Sequence, residues 1–542
     1  MSETADELTP SDDALNEIYP DELVFAFVHP VGTSVEPIQS YLERLLSQFG
    51  YRLELIKLTD YFQKHIESFA LKIELNDSTY YNRVRTRIDA GNELCRSANR
   101  KDFIGLIGLA EISRRRTDNN PRTKTAYLIS SLKRPEEVEL LRQVYGPGFF
   151  LIAIYTPEQE RIMHLETHRD MQEADARELI ARDKKERDAF GQNTSNAFAQ
   201  ADVFIAQDPN VFKDQLGRFV DLVFGYPFAT PAQDEHNMFL AFAASLRSGD
   251  LARQVGAAIS TPEGDVLAVG CNDVPAFGGG LYWPGPEDQR DHVRRSDSNE
   301  KQRDKIIQEL LGLLKNDSFL TEHDLESALR SASELNGEIV DRLLGDKELI
   351  AALVRVVCNP APISLNEGKE LLRSTSLFSL TEFGRAVHAE MDALLTCGRT
   401  GRSTSGTTLY TTTFPCHNCT RHIIASGIRR VVYVEPYPKS QALQLHHDAI
   451  SIEERGWANR STCQSRVIFE PFLGIGPRRY FDLFSLKLGG GRKVHRKEEK
   501  GSGDVLPWHR GVEHRPRTPM DPTSYLDREL KAASQVEDSE DS

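Results

Sequence analysis

The sequence predicts an α/β protein built from two domains, and three observations support that prediction. The chain has 542 residues, more than one ordinary hydrophobic core accommodates. Its first half alternates short apolar runs with helix-period segments, which is typical of a mostly parallel sheet covered by helices. In its second half, a long charged and helix-periodic block interrupts a series of short strands and helices.

The first domain is expected at residues 21–235, after a polar, acidic N-terminus (1–20) that we expect to be flexible. It opens on a buried strand, LVFAFV (23–28), followed by a glycine turn and a helix-period segment that stops at Gly50. Further along, a helix is expected over 134–146. The other expected strands are FIGLIGLA (103–110), FFLIAIY (149–155) and ADVFIA (201–206).

The turn after the first strand is a candidate phosphate-binding loop. The P-loop pattern asks for Gly, four residues, Gly, Lys and a hydroxyl residue. Gly32 and Ser34 fit this pattern, whereas Phe27 replaces the first glycine and Thr33 replaces the lysine. The segment SSLKRPEEVELLRQVYG (130–146) nevertheless resembles the later part of nucleotide and deoxynucleotide kinases. We therefore expect a P-loop kinase-like parallel sheet domain in which Gly32, Thr33 and Ser34 contact a nucleotide. Without the lysine, a sensor or scaffold role is favoured over phosphotransfer.

The second domain is expected at residues 236–485, followed by a polar C-terminal tail (486–542). An amphipathic helix (234–248) precedes two strands, RQVGAAIS (253–260) and DVLAVGCNDV (265–274), and a glycine-rich loop. Residues 285–384 are charged and helix-periodic, and we expect a helical insertion there. After it come HAEMDALL, the strand TTLYTTT (407–413) and the segment that begins FPCHNC.

Two short motifs of the second domain carry residues that bind metal ions. His388 and Glu390 stand two apart in an apolar run, where a buried carboxylate is costly unless it is paired or used in chemistry. Cys416 and Cys419 stand three apart behind Pro415, so at a helix start both sulfurs project from one end and one face. Exposed N–H groups at that end favour thiolates. If the two helices pack side by side, one nitrogen and two sulfurs converge, and Zn²⁺ fits that mixed set.

Three protein ligands leave the fourth position of a tetrahedral zinc site open for water, which is typical of catalysis. Glu390 would then be the catalytic residue that moves protons. The HxE and PCxxC pattern is the signature of zinc nucleobase deaminases. A structural zinc half-site or a pair of core thiols is the alternative for the cysteines alone. A closed structural site would need a fourth ligand, and the nearby candidates are Cys397, His417 and His422.

These motifs resemble the deoxycytidylate deaminase branch of the cytidine deaminase superfamily, and nearly the whole chain resembles the bacterial anti-phage dCTP deaminases. That resemblance implies a cytidine deaminase-like α/β/α domain with a helical insertion. It implies substrate contacts by Asn272, Ala389, Tyr437 and Lys439, although core packing or a surface role is an equal alternative for the last two. Several relatives have Glu before the PC pair, whereas this chain has Phe414, which leaves the zinc ligands intact.

The resemblance implies zinc-dependent deamination of free deoxycytidine nucleotides, dCTP or dCMP, in phage defence, with a small inhibitory RNA and a homo-oligomer as expected partners. The net charge of -15 argues against a broad nucleic-acid footprint. Scattered cysteines, no long apolar run and no secretory signal predict a cytoplasmic protein without membrane contact. Two alternatives stay open: a cytosine-editing deaminase of DNA or RNA, and a nucleotide- or RNA-binding regulator with structural zinc.

Overall fold

The computed structural model describes residues 22–116, 121–186, 188–316, 383–434, 441–452, 466–487, 492–497, 505–520 and 522–541, together with residues 364, 366, 369 and 372. Three predicted features lie outside these ranges. They are the N-terminal segment, most of the insertion beyond Asn316, and the substrate residues Tyr437 and Lys439. Within them, no helix is both long and apolar enough to span a bilayer.

The strands confirm a mixed α/β fold with two sheets that are mainly parallel. In chain order they are β1 (Leu23–Val28), β2 (Arg52–Lys57), β3 (Thr125–Ser130), β4 (Phe149–Tyr155), β5 (Val203–Ala206), β6 (Gly256–Ser260), β7 (Val266–Cys271), β8 (Thr408–Thr411), β9 (Arg430–Tyr433), β10 (Ile450–Ile452), β11 (Val467–Pro471) and β12 (Gly474–Ile475).

The helices separate most of these strands, as parallel pairing requires. They are α1 (Glu36–Gln48), α2 (Phe62–Ser68), α3 (Tyr80–Ser97), α4 (Phe103–Arg114), α5 (Pro135–Tyr145), α6 (Glu158–Arg169), α7 (Glu173–Lys184), α8 (Thr194–Phe198), α9 (Pro209–Val223), α10 (Gln233–Ser245), α11 (Asp291–Arg294), α12 (Ser298–Asn316), α13 (Ala389–Arg399), α14 (His417–Ala425), α15 (Ala442–Leu445), α16 (Tyr480–Phe484) and α17 (Pro522–Asp541).

The first sheet has the order β12-β5-β4-β1-β3-β2. Neighbouring strands in this sheet are parallel, except that β12 runs antiparallel to β5. Alternate residues of β1 enter two different hydrophobic clusters, so the strand is buried on both faces. That burial explains why LVFAFV is a continuous apolar run and not an alternating one.

The apolar run FIGLIGLA (103–110) was expected to be a strand, and that prediction was wrong. It forms most of α4, and its residues are buried all round the helix. Two glycines let neighbouring groups approach closely: a Cβ on Gly105 would lie 3.3 Å from Glu137 Cα, and one on Gly108 would lie 3.0 Å from Leu58 Cδ2. A helix that is apolar on every side has no amphipathic period by which to distinguish it from a buried strand.

The second sheet has the order β10-β11-β9-β8-β6-β7, and β8, β9, β10 and β11 pair in parallel. The strands expected at 253–260, 265–274 and 407–413, and the helices expected at 234–248 and from residue 388, are all present. The helix-periodic stretch KIIQELLGLL (305–314) lies in α12.

The described residues divide into two compact units. The first lies within Met1–Phe242, Ala258–Leu267 and Thr404–Ser542 and contains the whole first sheet. The second lies within Ala243–Ala257 and Ala268–Ser403. The domain boundaries drawn from the sequence stay predictions.

The predicted C-terminal tail contains α17, which packs on α4 and α5 in the first unit. A buried polar cluster joins these elements: Arg116 pairs with both Glu22 and Glu529. The Tyr145 hydroxyl donates to Glu529, and the Tyr525 hydroxyl donates to Glu22. Two carboxylates therefore share one guanidinium. Burial raises the pKa of Glu529 to about 7, although the positive charge of Arg116 acts to lower that pKa.

The raised pKa of Glu529 predicts a stability that falls as pH rises. Folding favours the protonated form of the Glu529 carboxyl. Its contribution to the free energy of unfolding is therefore fully present below the ordinary pKa of 4.5 and is lost as pH rises through about 7. We expect Glu529→Gln to flatten the dependence of Tm on pH over that window. Asp527→Asn, at an exposed position of the same helix, should leave the slope unchanged. An unaltered slope in Glu529→Gln would assign the titration to another group.

Candidate metal centre

Helix α13 is held against strand β7 by a close backbone contact. A Cβ on Gly270 would lie 2.4 Å from the Ala389 carbonyl oxygen and 2.5 Å from the Ala393 nitrogen, so only glycine fits there. The Asp392 carboxylate accepts the Cys271 N–H at 3.2 Å. Burial raises the pKa of Asp392. The first turn of α13 is thereby fixed to the strand.

His388 stands at the N-cap of α13, and its carbonyl accepts the Asp392 N–H at 2.9 Å. Residue Val387 pairs with Asp273 in an antiparallel bridge, which sets the direction from which the chain enters the helix. Glu390 lies in the first turn and is only 3% exposed. The N-terminal end of a helix favours a negative charge, so the position suits a carboxylate.

The two cysteines open helix α14, as their spacing predicted. Cys416 is the N-cap, and its Sγ accepts the Cys419 N–H at 3.4 Å. Cys419 is buried in the first turn. A sulfur that accepts a backbone N–H at a helix start is stabilised as a thiolate, which is the form that binds metal.

The structure brings the three predicted ligands together. The ligand atoms of His388, Cys416 and Cys419 all lie within 4.8 Å of one another. One imidazole nitrogen and two thiolates form a donor set that suits zinc. Over the described ranges, Cys397, His417 and His422 are not members of this group, so the donors found there number three. The group is therefore a candidate zinc site.

The described residues predicted to contact the substrate, Ala389 and Asn272, differ in how the fold uses them. Ala389 is fully buried as the first residue of α13. The Asn272 amide is used within the fold: Oδ1 accepts the Val255 N–H at 2.7 Å and Nδ2 donates to the Arg253 carbonyl at 2.8 Å. Its contact with a substrate stays a prediction. Phe414 is buried against the rings of Tyr433 and Phe469, which explains the apolar residue before the PC pair.

The candidate phosphate loop follows β1, as expected. Gly32 has φ +89°, and a Cβ there would lie 2.9 Å from Arg161 Cβ. Ser34 donates to Glu36 at 3.3 Å. Thr33 Oγ1 is buried, and no hydrogen-bond partner for it is found among the described residues. Nucleotide binding by this loop stays a prediction.

Sequence reasoning missed the side chains that pack against this loop. The Asp183 carboxylate accepts the Val31 N–H at 2.9 Å and pairs with Lys133, whose Nζ lies 2.8 Å away. Lys133 also donates to the His29 carbonyl at 2.6 Å. A lysine from the segment after β3 thus lies at the loop, although the loop itself has none. These contacts join residues far apart in sequence, so no local pattern indicates them.

The comparison with protein families agrees with the site. Residues 231–435 match the family described as the cytidine and deoxycytidylate deaminase zinc-binding region. This match spans the three candidate ligands and Glu390. The chain therefore contains a cytidine and deoxycytidylate deaminase domain.

Several curated proteins are similar over short stretches. ComE operon protein 2 of Bacillus subtilis (strain 168) is 45% identical over 73 residues, which is 13% of this chain and 38% of that protein. Deoxycytidylate deaminase of Enterobacteria phage T4 is 44% identical over 55 residues, 10% of this chain and 28% of that protein. Probable deoxycytidylate deaminase of Drosophila melanogaster is 44% identical over 109 residues, 19% of this chain and 51% of that protein. The chain thus spans about half or less of the relatives that it matches.

Among solved structures, the crystal structure of dCMP deaminase from the cyanophage S-TIM5 in apo form aligns with 45% of this chain and 100% of its own. The identity is 15% and the TM-score is 0.20, which is too low to establish a shared fold.

Proposed function

We propose that this protein is a zinc-dependent hydrolytic deaminase that converts deoxycytidine nucleotides to deoxyuridine nucleotides and ammonia. The observation that carries the proposal is the cluster of His388, Cys416 and Cys419, with Glu390 two residues from the histidine ligand. The match of residues 231–435 to the deaminase zinc-binding region supports it. So do the relatives named as deoxycytidylate deaminases.

The proposed reaction needs residues that bind the metal ion and a residue that transfers protons. His388, Cys416 and Cys419 would hold the ion, and zinc bound there supplies a Lewis acid that activates water. Glu390 accepts one proton from the attacking water and delivers it to the ring nitrogen, and it then transfers the second proton of that water to the departing amino group. The water adds to C4 of cytosine, the C4–N bond breaks, and uracil and ammonia result. Burial of Glu390 excludes bulk water from this proton transfer.

We propose a free nucleotide, dCTP or dCMP, as the substrate. The net charge of -15 disfavours a long polynucleotide, which is held mainly through its phosphates. The resemblance to anti-phage dCTP deaminases supports depletion of the nucleotide pool in phage defence. The same resemblance supports a small inhibitory RNA and a second copy of this chain as proposed partners.

A substrate panel tests the proposal. Purified protein is incubated with dCTP, dCMP, CTP and a polycytidine oligonucleotide, and each reaction is assayed for uracil products and ammonia. We expect a deoxyuridine nucleotide from dCTP or dCMP. Product from the oligonucleotide alone would favour a nucleic-acid-editing deaminase. Bound zinc without any product would favour a regulator with a structural metal.

A further inference from the structure

A set of charged side chains lies where the chain enters and leaves the predicted insertion, and we name it the insertion clamp: Asp273, Asp288, Arg290, Asp291 and Arg385. The Arg290 guanidinium donates to both Asp288 carboxylate oxygens: Nε lies 3.0 Å from Oδ1 and 3.1 Å from Oδ2, and Nη2 lies 2.7 Å from Oδ2. Its remaining Nη1 lies 3.5 Å from Asp273 Oδ2. Arg385 donates to Asp291 Oδ1 at 2.6 Å. The first residues of the insertion are thus bonded both to the segment before it and to the segment after it.

Asp273 connects the insertion clamp to the candidate metal ligand. Its N–H donates to the Val387 carbonyl at 3.2 Å, and its carbonyl accepts the Val387 N–H at 2.9 Å. Val387 directly precedes His388. The Asp273 carboxylate also accepts the Gly249 N–H at 3.0 Å. One buried residue therefore holds residues 249, 290 and 387 at the same time.

The packing around this residue leaves little room for rearrangement. A Cβ on Gly249 would lie 2.9 Å from His292 Cε1 and 3.0 Å from Arg290 Nη1. The side chains of Arg290 and Asp273 are 8% and 1% exposed. A guanidinium in such a site is held by its planar fork, which a lysine ammonium cannot reproduce.

We propose that Asp273 and Arg290 are positioning residues for the deaminase centre. The Asp273 backbone bonds to Val387, and Arg290 holds the Asp273 carboxylate in place, so together they set the backbone position of His388. The inference rests on the proposed function for its catalytic consequence, but its structural part concerns the geometry of the ligand segment alone. It also means that the start of the insertion determines how firmly the metal is held. Neither residue contacts the metal or the substrate in this assignment.

The test compares Arg290→Gln, Asp273→Asn, the double variant and Arg290→Lys with a control, Arg294→Gln. Arg294 lies four residues further on and is exposed, and within the described part of the chain its side chain bonds to the Gln289 side chain alone. Zinc release to a chromophoric chelator is measured for each variant. Hydrogen exchange of the peptide 383–395 is measured in metal-free protein. Circular dichroism and Tm show whether each variant folds.

We expect Arg290→Gln and Asp273→Asn to release zinc about 10-fold faster, the size of effect typical of groups that orient metal ligands. Peptide 383–395 should exchange faster without metal. The double variant should resemble either single variant, because the two residues act as one unit. Arg290→Lys should recover part of the loss, and Arg294→Gln should match the wild type. In the active enzyme, kcat should fall while KM stays unchanged.

Folded Arg290→Gln and Asp273→Asn proteins with wild-type zinc release and exchange would overturn the proposal. So would faster exchange over the whole chain with no excess at 383–395, which would indicate general destabilisation. A wild-type protein that binds zinc but deaminates nothing would refute the proposed function, while the release assay would still test the positioning role. If the wild type bound no zinc, the exchange of 383–395 would still decide it.

Discussion

Replacing Glu390 with alanine is expected to lower kcat for deoxycytidine nucleotides by about 10²- to 10⁴-fold while zinc stays bound. In the proposed mechanism, this carboxylate moves protons from water to the ring nitrogen and to the leaving amine. Glu390 does not belong to the group of three residues that could hold the ion. The measurements are ammonia release at saturating substrate and zinc content per chain.

Two further variants separate charge from shape in this test. Glu390→Gln keeps the volume of the side chain and removes its charge, so it should be as inactive as Glu390→Ala. Leu395→Ala alters a side chain of the same helix that is 57% exposed, and it should turn over like the wild type. Normal kcat in folded Glu390→Gln would show that another residue moves the proton.

Replacing Cys419 with serine is expected to remove zinc and activity together. A serine hydroxyl stays protonated at neutral pH and is a poor substitute for a thiolate. Changes to groups outside the ligand set commonly cost about 10- to 100-fold in metal affinity, so loss of a ligand should weaken zinc binding by more than about 100-fold. Zinc content after dialysis and competition with a chelator measure the loss.

Cys397→Ala is the matched control, because Cys397 is also buried but does not belong to the ligand group. Burial raises the pKa of the Cys397 thiol, so this sulfur stays neutral at physiological pH. The control should keep zinc and activity despite a small loss of stability. Retention of zinc in Cys419→Ser, or its loss in Cys397→Ala, would contradict the assigned ligand set.

Local patterns predicted much of the fold. The strands β1, β4 and β5 and the helices α1, α5, α10 and α13 follow from apolar runs, periodicity and turn residues. β2 and β3 were missed. β2 is the edge strand of the first sheet, so most of its residues are at least partly exposed. Its sequence therefore lacks the apolar run that indicates a buried strand. The helix α4 was taken for a strand because both structures bury a continuous apolar run.

The candidate site was predictable in its chemistry but not in its surroundings. His388, Glu390, Cys416 and Cys419 belong to motifs whose residue types and spacing indicate zinc and proton transfer. The insertion clamp and the contacts of Asp183 and Lys133 with the loop after β1 have no such signal. Each joins residues from distant parts of the chain, and in isolation each residue is an ordinary surface charge.

The sequence by itself determined which donor atoms are available. It also determined the direction of the two sulfurs, because cysteines at i and i+3 at the start of a helix project from the same end wherever that helix lies. It also determined that a carboxylate stands two residues from a histidine. Only the tertiary structure decided that the imidazole and the two sulfurs come within 4.8 Å of one another. It likewise decided that Asp273 holds the residue before the histidine. The physical reason is that local spacing fixes direction within one element, whereas convergence depends on packing and hydrogen bonds between segments far apart in the chain.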